Sequence, residues 1–221
     1  MSIVEETRIA LLELFPELAA AEAEVREALE AEAEENSAAA EKTDDEIESK
    51  EPVSDENDEA PAGDSGEADA AAEPEPEKTE EPEEEGPREN GVMLTSHAER
   101  GTDIDVLCDP DQVVKAAQIM DEAGFFLEAV TGVDWIKEEK LEVIYDYNQY
   151  GPDQCRVVVR AFISRTDPEI PTISGVMPSA NWHERETHDF YGIKFKGHPY
   201  LVPLLLPEDA DFHPLLKDFK P

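Results

Sequence analysis

The segment Asn181-Trp182-His183-Glu184-Arg185-Glu186-Thr187-His188-Asp189-Phe190-Tyr191-Gly192-Ile193 brings imidazoles, carboxylates, a guanidinium and large aromatics into one short stretch. As a helix it would be roughly 18 Å long. His183-Glu184 followed by His188 invites comparison with a zinc-protease helix, in which two histidines four apart share a face with a glutamate base between them. Here the separation is five, which turns the second imidazole about 140° away from the first. A metal-dependent hydrolase built on His183 and His188 would need a third ligand from His198 or His213. Glu184, Glu186 and Asp189 offer paired carboxylates for acid–base work. Glu186 and Asp189, three apart, could share a face, and Arg185 stands four before Asp189, the spacing of a helical ion pair. No GxGxxG, Walker loop or GxSxG accompanies them, which removes the usual support for dinucleotide, phosphate-loop and serine-hydrolase chemistry. The pattern favours ion-paired structure. A segment both charged and aromatic suits a buried polar network or a contact surface for another chain.

The composition around this segment is divided. Residues 1–90 hold 33 acidic and 6 basic residues, a net of −27, and residues 91–221 hold 23 and 12, a net of −11. No basic patch could follow a phosphate backbone, so nucleic acid is excluded as a partner, and an anionic membrane surface would repel the chain. Cys108 and Cys155 are isolated thiols outside any CxxC, as suits a reducing compartment. An iron–sulfur cluster needs about four thiolates, more than this chain has. Met1-Ser2-Ile3-Val4 leads straight into Glu5-Glu6 without a basic n-region, and no apolar run approaches the ~20 residues of a membrane span. The expectation is a soluble, cytoplasmic protein held at a membrane only through other chains.

Three regions follow. Residues 1–35 read as an Ala/Glu-rich helix with a short stripe of Ile3, Val4, Leu11, Leu12, Phe15 and Leu18, interrupted at Pro16. The stripe reads as a solvated helix, or as a surface that docks on a partner. Residues 36–90 are low in large apolar residues, cannot offset chain entropy by burial, and are expected to be an acidic disordered linker. The whole acidic region, residues 1–90, could also act as a binding module, with the folded domain only an anchor. Residues 91–221 have globular texture. Ile104, Val106 and Cys108 alternate as in a half-buried strand. Asp109-Pro110 supplies an N-cap and a first-turn proline for a helix ended by Gly124. Phe125–Val133, Leu141–Asp146 and Arg156–Ser164 predict strands, the last central. The opening segment predicts a helix from near Pro178-Ser179 to Gly192. Gly197 to Pro207, with Pro199, Pro203 and Pro207, predicts an extended arm that cannot join a central strand. The order predicts an α+β domain, with helices on one face of a small, mostly antiparallel sheet.

At Asn181-Trp182, Glu184-Arg185-Glu186, Asp189, Phe190-Tyr191-Gly192-Ile193, Phe195 and Gly197-His198-Pro199 the chain resembles the thirty-kilodalton subunit family of respiratory complex I. The likeness extends to Gly132-Val133-Asp134, Leu141–Tyr145, Leu204-Leu205, His213-Pro214-Leu215 and Lys217-Asp218, covering about residues 92–219. It implies a peripheral-arm subunit without a cofactor or catalytic residue of its own. Such a subunit lies beside a large subunit, of the forty-nine-kilodalton type or nickel–iron hydrogenase-like, and iron–sulfur subunits of the same complex. Trp182, Glu184, Arg185, Glu186, Asp189, Phe190, Tyr191, Gly192, His198, Pro199, Lys217 and Asp218 are then expected to form the signature and interface. The four charges among residues 184–189 would make a fixed ion network. The family usually has two basic residues where this chain has Val202 and Pro203, and Arg where it has Leu216. These departures, with the Pro-Leu-Leu-Leu-Pro-Glu wording, lean the resemblance toward energy-converting nickel–iron hydrogenases. NADH:quinone oxidoreductase is the alternative.

Overall fold

A computed structural model describes residues 2–24, 89–151 and 154–220. The helix read at residues 25–35 and the linker at 36–88 lie outside the described residues. Helix α1 (Ile3–Leu11) starts at Ser2, whose hydroxyl accepts the Glu5 N–H. A 3-10 turn (Leu12–Leu14) follows, and the chain leaves helical geometry at Phe15, with φ −127° and ψ 73°. Residues 16–24 resume as helix α2. Pro16 takes its first position, where a missing N–H costs nothing.

The apolar stripe is not solvated as expected. Leu11, Leu14 and Phe15 enter the core of the domain, because the pitch change gathers them into one plug. Gln112 Nε2 donates to Leu14 O at 2.6 Å and Lys115 Nζ to Glu13 O at 3.1 Å. These side chains satisfy carbonyls that a helix end leaves open.

The sheet has five strands, β1 (Gly91–Leu94), β2 (Ile104–Cys108), β3 (Phe126–Trp135), β4 (Lys140–Gln149) and β5 (Cys155–Ser164). Their order is β1-β2-β5-β4-β3, with only the β2–β5 pairing parallel. The sequence-predicted α+β architecture and the central place of β5 both hold. The short helix α3 (His97–Arg100) lies between β1 and β2. Helix α4 (Val113–Glu122) follows the Asp109/Gln112 capping box and a turn at Pro110. Gly124, at φ 80°, turns the chain out of it. Helix α5 (Ala180–Tyr191) is bracketed by a small parallel sheet of β6 (Glu169–Pro171) and β7 (Lys194–Lys196). None of the helices among the described residues is long and apolar enough to cross a membrane.

One face of the sheet carries Ile104, Val106, Val143, Tyr145, Tyr147, Val157 and Val159, packed with Val113, Ala117, Met120 and Ala180 of α4 and α5. The opposite face carries charge. Arg160 Nε meets Asp105 at 2.8 Å and Arg160 Nη1 meets Glu142 at 3.1 Å. Trp135 Nε1 donates to the other Glu142 oxygen at 2.8 Å. The half-buried reading of β2 is corrected by this bridge: all five β2 residues are buried, Asp105 because Arg160 covers and neutralises it.

Candidate functional site

Helix α5 and the arm after it form one unit. Gly192, at φ 75°, ends the helix and donates its N–H to His188 O. His213 packs so close to Gly192 that a Cβ there would lie 2.6 Å from Nε2 of the ring, and its Nδ1 donates to Asp189 O at 2.9 Å. On the sheet side, the Tyr191 ring would lie 2.6 Å from a Cβ on Gly132. Thr187 Oγ1 donates to Val130 O at 2.9 Å. Both glycines are therefore places where the unit presses closely on itself or on β3.

Glu184 is fully buried. One oxygen accepts the Ile173 N–H at 2.8 Å and the other accepts the Thr172 hydroxyl. Burial pushes its carboxyl up to about 7, against the pull of those two donors. His198 Nε2 stands 3.8 Å from it. That nitrogen donates to Asn181 O at 3.2 Å, while Nδ1 accepts the Tyr200 N–H at 3.1 Å. The two bonds fix a neutral ring protonated at Nε2. Burial holds His198 below the ordinary imidazole range, and nearby Arg185 adds to this.

Asp189 Oδ2 accepts three consecutive arm N–H groups, from Leu204 at 2.8 Å, Leu205 at 2.7 Å and Leu206 at 3.1 Å. Burial pushes its carboxyl up, but the donors outweigh it and hold the group below the usual range. Arg185 donates through Nε to Val202 O at 3.0 Å and through Nη2 to Pro203 O at 3.1 Å. Its guanidinium carbon lies 5.4 Å from the Trp182 ring and 5.3 Å from the Tyr200 ring. The expected Arg185–Asp189 pair and the four-charge network therefore do not form. The irregular, proline-rich arm has polar backbone that no sheet ladder satisfies, and the helix charges serve it instead. Glu186 is partly exposed, with no hydrogen bond or ion pair among the described residues.

The remaining signature positions are spread around this unit. Phe190 O accepts the Leu215 N–H at 3.1 Å. Pro199 is exposed and leads into Tyr200. At the end of the arm, Asp134 accepts Lys217 N–H at 2.8 Å and Arg165 Nε at 2.8 Å, and Arg165 also meets Asp218 at 2.5 Å. Burial pushes Asp134 up, but Arg165 and the Lys217 N–H bring it below its ordinary value. Lys217 Nζ lies over the Trp135 ring. Arg165 and Thr172 escape sequence reading, because each stands in a connection without periodicity. Where the arm departs from the family's usual cations, Val202 and Pro203 act through their carbonyls, and Leu216 packs against the core.

Two of the three imidazoles of the hydrolase reading serve local bonds. His188 Nδ1 donates to Ile193 O at 2.8 Å and His198 is engaged as above, whereas His183 enters only through its backbone carbonyl, which accepts Thr187 Oγ1. Among the described residues no group of three or more His, Cys, Asp or Glu is arranged to hold a metal ion. What the unit leaves outward is aromatic and aliphatic: Trp182 is 61% exposed, Tyr200 63% and Leu205 59%.

Residues 106–221 match the family described as respiratory-chain NADH dehydrogenase, 30 Kd subunit. A similar curated protein is the C subunit of NADH-quinone oxidoreductase from Roseiflexus sp. (strain RS-1), 38% identical over 58% of this chain and 75% of the relative. The protein of that name from Moorella thermoacetica is 37% identical over 54% and 82%. Among solved structures, a chain of the membrane-bound sulfane sulfur reductase, an archaeal respiratory membrane complex, superposes with a TM-score of 0.52. It is 25% identical, over 58% of this chain and 77% of that one. The family match takes in most of β2 and all of β3 to β7, α5 and the arm, and the chain belongs to the thirty-kilodalton subunit family of respiratory-chain NADH dehydrogenases.

Proposed function

We propose that this chain is the non-catalytic subunit of thirty-kilodalton type in an NADH:quinone oxidoreductase, bracing the large subunit of forty-nine-kilodalton type in the peripheral arm. The observation that carries this reading is the α5–arm unit. Its buried charges are spent on its own backbone, while Trp182, Tyr200 and Leu205 face outward. A site built for turnover would keep an acid, base or nucleophile free at a cavity; this one offers an aromatic and aliphatic outer surface. Electrons would pass through clusters of neighbouring iron–sulfur subunits, and this chain would carry no cofactor. Its place would be cytoplasmic and peripheral, held at the membrane by those partners.

The leaning toward nickel–iron hydrogenase rests on Val202, Pro203, Leu216 and the Pro-Leu-Leu-Leu-Pro-Glu segment at 203–208. The curated relatives, named as NADH-quinone oxidoreductase subunits, favour the quinone enzyme instead. Affinity purification of the tagged full chain from gently solubilised native membranes tests the reading. Co-purification of a large subunit of that type with NADH:quinone activity is expected. A chain that purifies alone, or with a hydrogen-evolving complex, would overturn it.

A further inference from the structure

Arg185 differs from the other arginines whose ion pairs the described domain shows. Arg8 faces Glu5 and Glu22, Arg156 faces Glu128 and Asp146, Arg160 faces Asp105 and Glu142, and Arg165 faces Asp134 and Asp218. Arg185 is more buried than these, only 9% exposed, and makes no ion pair among the described residues. Two of its nitrogens are fixed on the arm carbonyls of Val202 and Pro203. Nη1 has no hydrogen-bond partner among the described residues and is not fully buried. The rings of Trp182 and Tyr200 stand on the guanidinium and are themselves largely exposed. The result is a slot with aromatic walls and a positive floor, in a chain with 56 acidic and 18 basic residues.

We infer that this slot receives a carboxylate side chain, Asp or Glu, from the adjoining subunit, with Arg185 as its counter-ion. This rests on the subunit reading above. Three features select that occupant. A largely desolvated guanidinium gains most from a charge-assisted bond to an anion. The aromatic walls suit a carboxylate flanked by apolar side chains, as in the core of a protein interface, where Trp, Tyr and Arg concentrate the binding energy. The net negative charge of the chain disfavours a polyanion, which would have to approach with many charges to fill a slot that neutralises one. Because Nε and one N–H of Nη2 are already engaged, the carboxylate would meet the end of the fork, at Nη1 and the second N–H of Nη2.

The test uses the full complex in its native host. Tyr200 is replaced by a photo-crosslinking phenylalanine analogue, membranes are irradiated, and the crosslinked peptide is sequenced. The carboxylate of the adjoining subunit nearest the crosslink is then changed to its amide. A crosslink to a segment containing Asp or Glu is expected, and the amide change should lower retention of this chain in detergent by at least about tenfold. Arg185→Lys, which keeps the charge but not the fork, should retain the chain better than Arg185→Gln. Thermal melts of both isolated variants control for folding. A crosslink to a segment without a carboxylate would overturn the inference, as would an amide variant that retains this chain fully or equal retention of the two Arg185 variants. If the wild-type chain fails to co-purify with any large subunit, the subunit reading fails before the slot is tested.

Discussion

On the outer face of the sheet, Arg160 bridges Asp105 and Glu142, so that side-chain charge cancels side-chain charge. On α5 the same kinds of group cancel against backbone instead. Asp189 gathers three N–H groups of the arm, Arg185 holds two of its carbonyls, and Glu184 holds the Thr172–Ile173 turn. The first arrangement ties strands already paired in a ladder. The second fastens chain with no ladder of its own. Loss of a sheet charge should therefore be felt by the whole domain, and loss of a helix charge mainly by the arm.

Arg160→Met should have the largest effect, because it removes the cation that the buried Asp105 and Glu142 share on the outer face of the sheet. We expect a global loss of roughly 3–5 kcal/mol, read as a lower urea midpoint. A near-unchanged midpoint would break the contrast. Asp189→Ala should come next. Each dry N–H costs about 1–3 kcal/mol, but water can reach a detached arm. The loss should appear as fast hydrogen exchange at Leu204, Leu205 and Leu206, with the strands of the sheet still protected. Equal loss of protection in β4 and β5 would show that arm and sheet unfold together.

Glu184→Gln sharpens the contrast through pH. The buried carboxyl titrates near 7, against an ordinary value of 4.5, so between those values the native state holds a proton that the unfolded chain has released. Stability should fall as pH rises from about 4.5 to 7, and the Gln variant should flatten that fall in urea midpoints taken at pH 5 and 8. Asp189 and Asp134 run the other way. Their depressed values give stability that is present above the ordinary carboxylate range and is lost as pH falls through it. The smallest effect belongs to Lys194→Ala, which removes an exposed pair with Asp167. No change in melting temperature is expected, and a clear drop would mean that surface charge counts for more here than the contrast allows.

Local signals made much of this legible in the sequence. Asp109-Pro110 and Gly124 bound α4, alternation located β4, an apolar run located β5, and Gly192 marked the end of α5. The motif residues were also legible as a group. What periodicity could not supply was pairing across long separations, such as Asp105 with Arg160 or Asp134 with Arg165 and Lys217. The parallel β6–β7 pair escaped for the same reason. The expected Arg185–Asp189 pair failed instructively. Spacing of four makes such a pair possible, but an arm rich in unpaired backbone competes for both groups and wins.

The plug formed by Leu11, Leu14 and Phe15 has a practical consequence. Cutting the chain back to its family-matched part would strip three large side chains from the middle of the fold and bare the apolar floor beneath them. Gln112 and Lys115 would also lose the carbonyls they now hold. Such a fragment would be sticky for reasons unrelated to its docking face. Anyone trimming the acidic half for biochemistry should excise between residues 25 and 88 and keep the first two dozen residues attached.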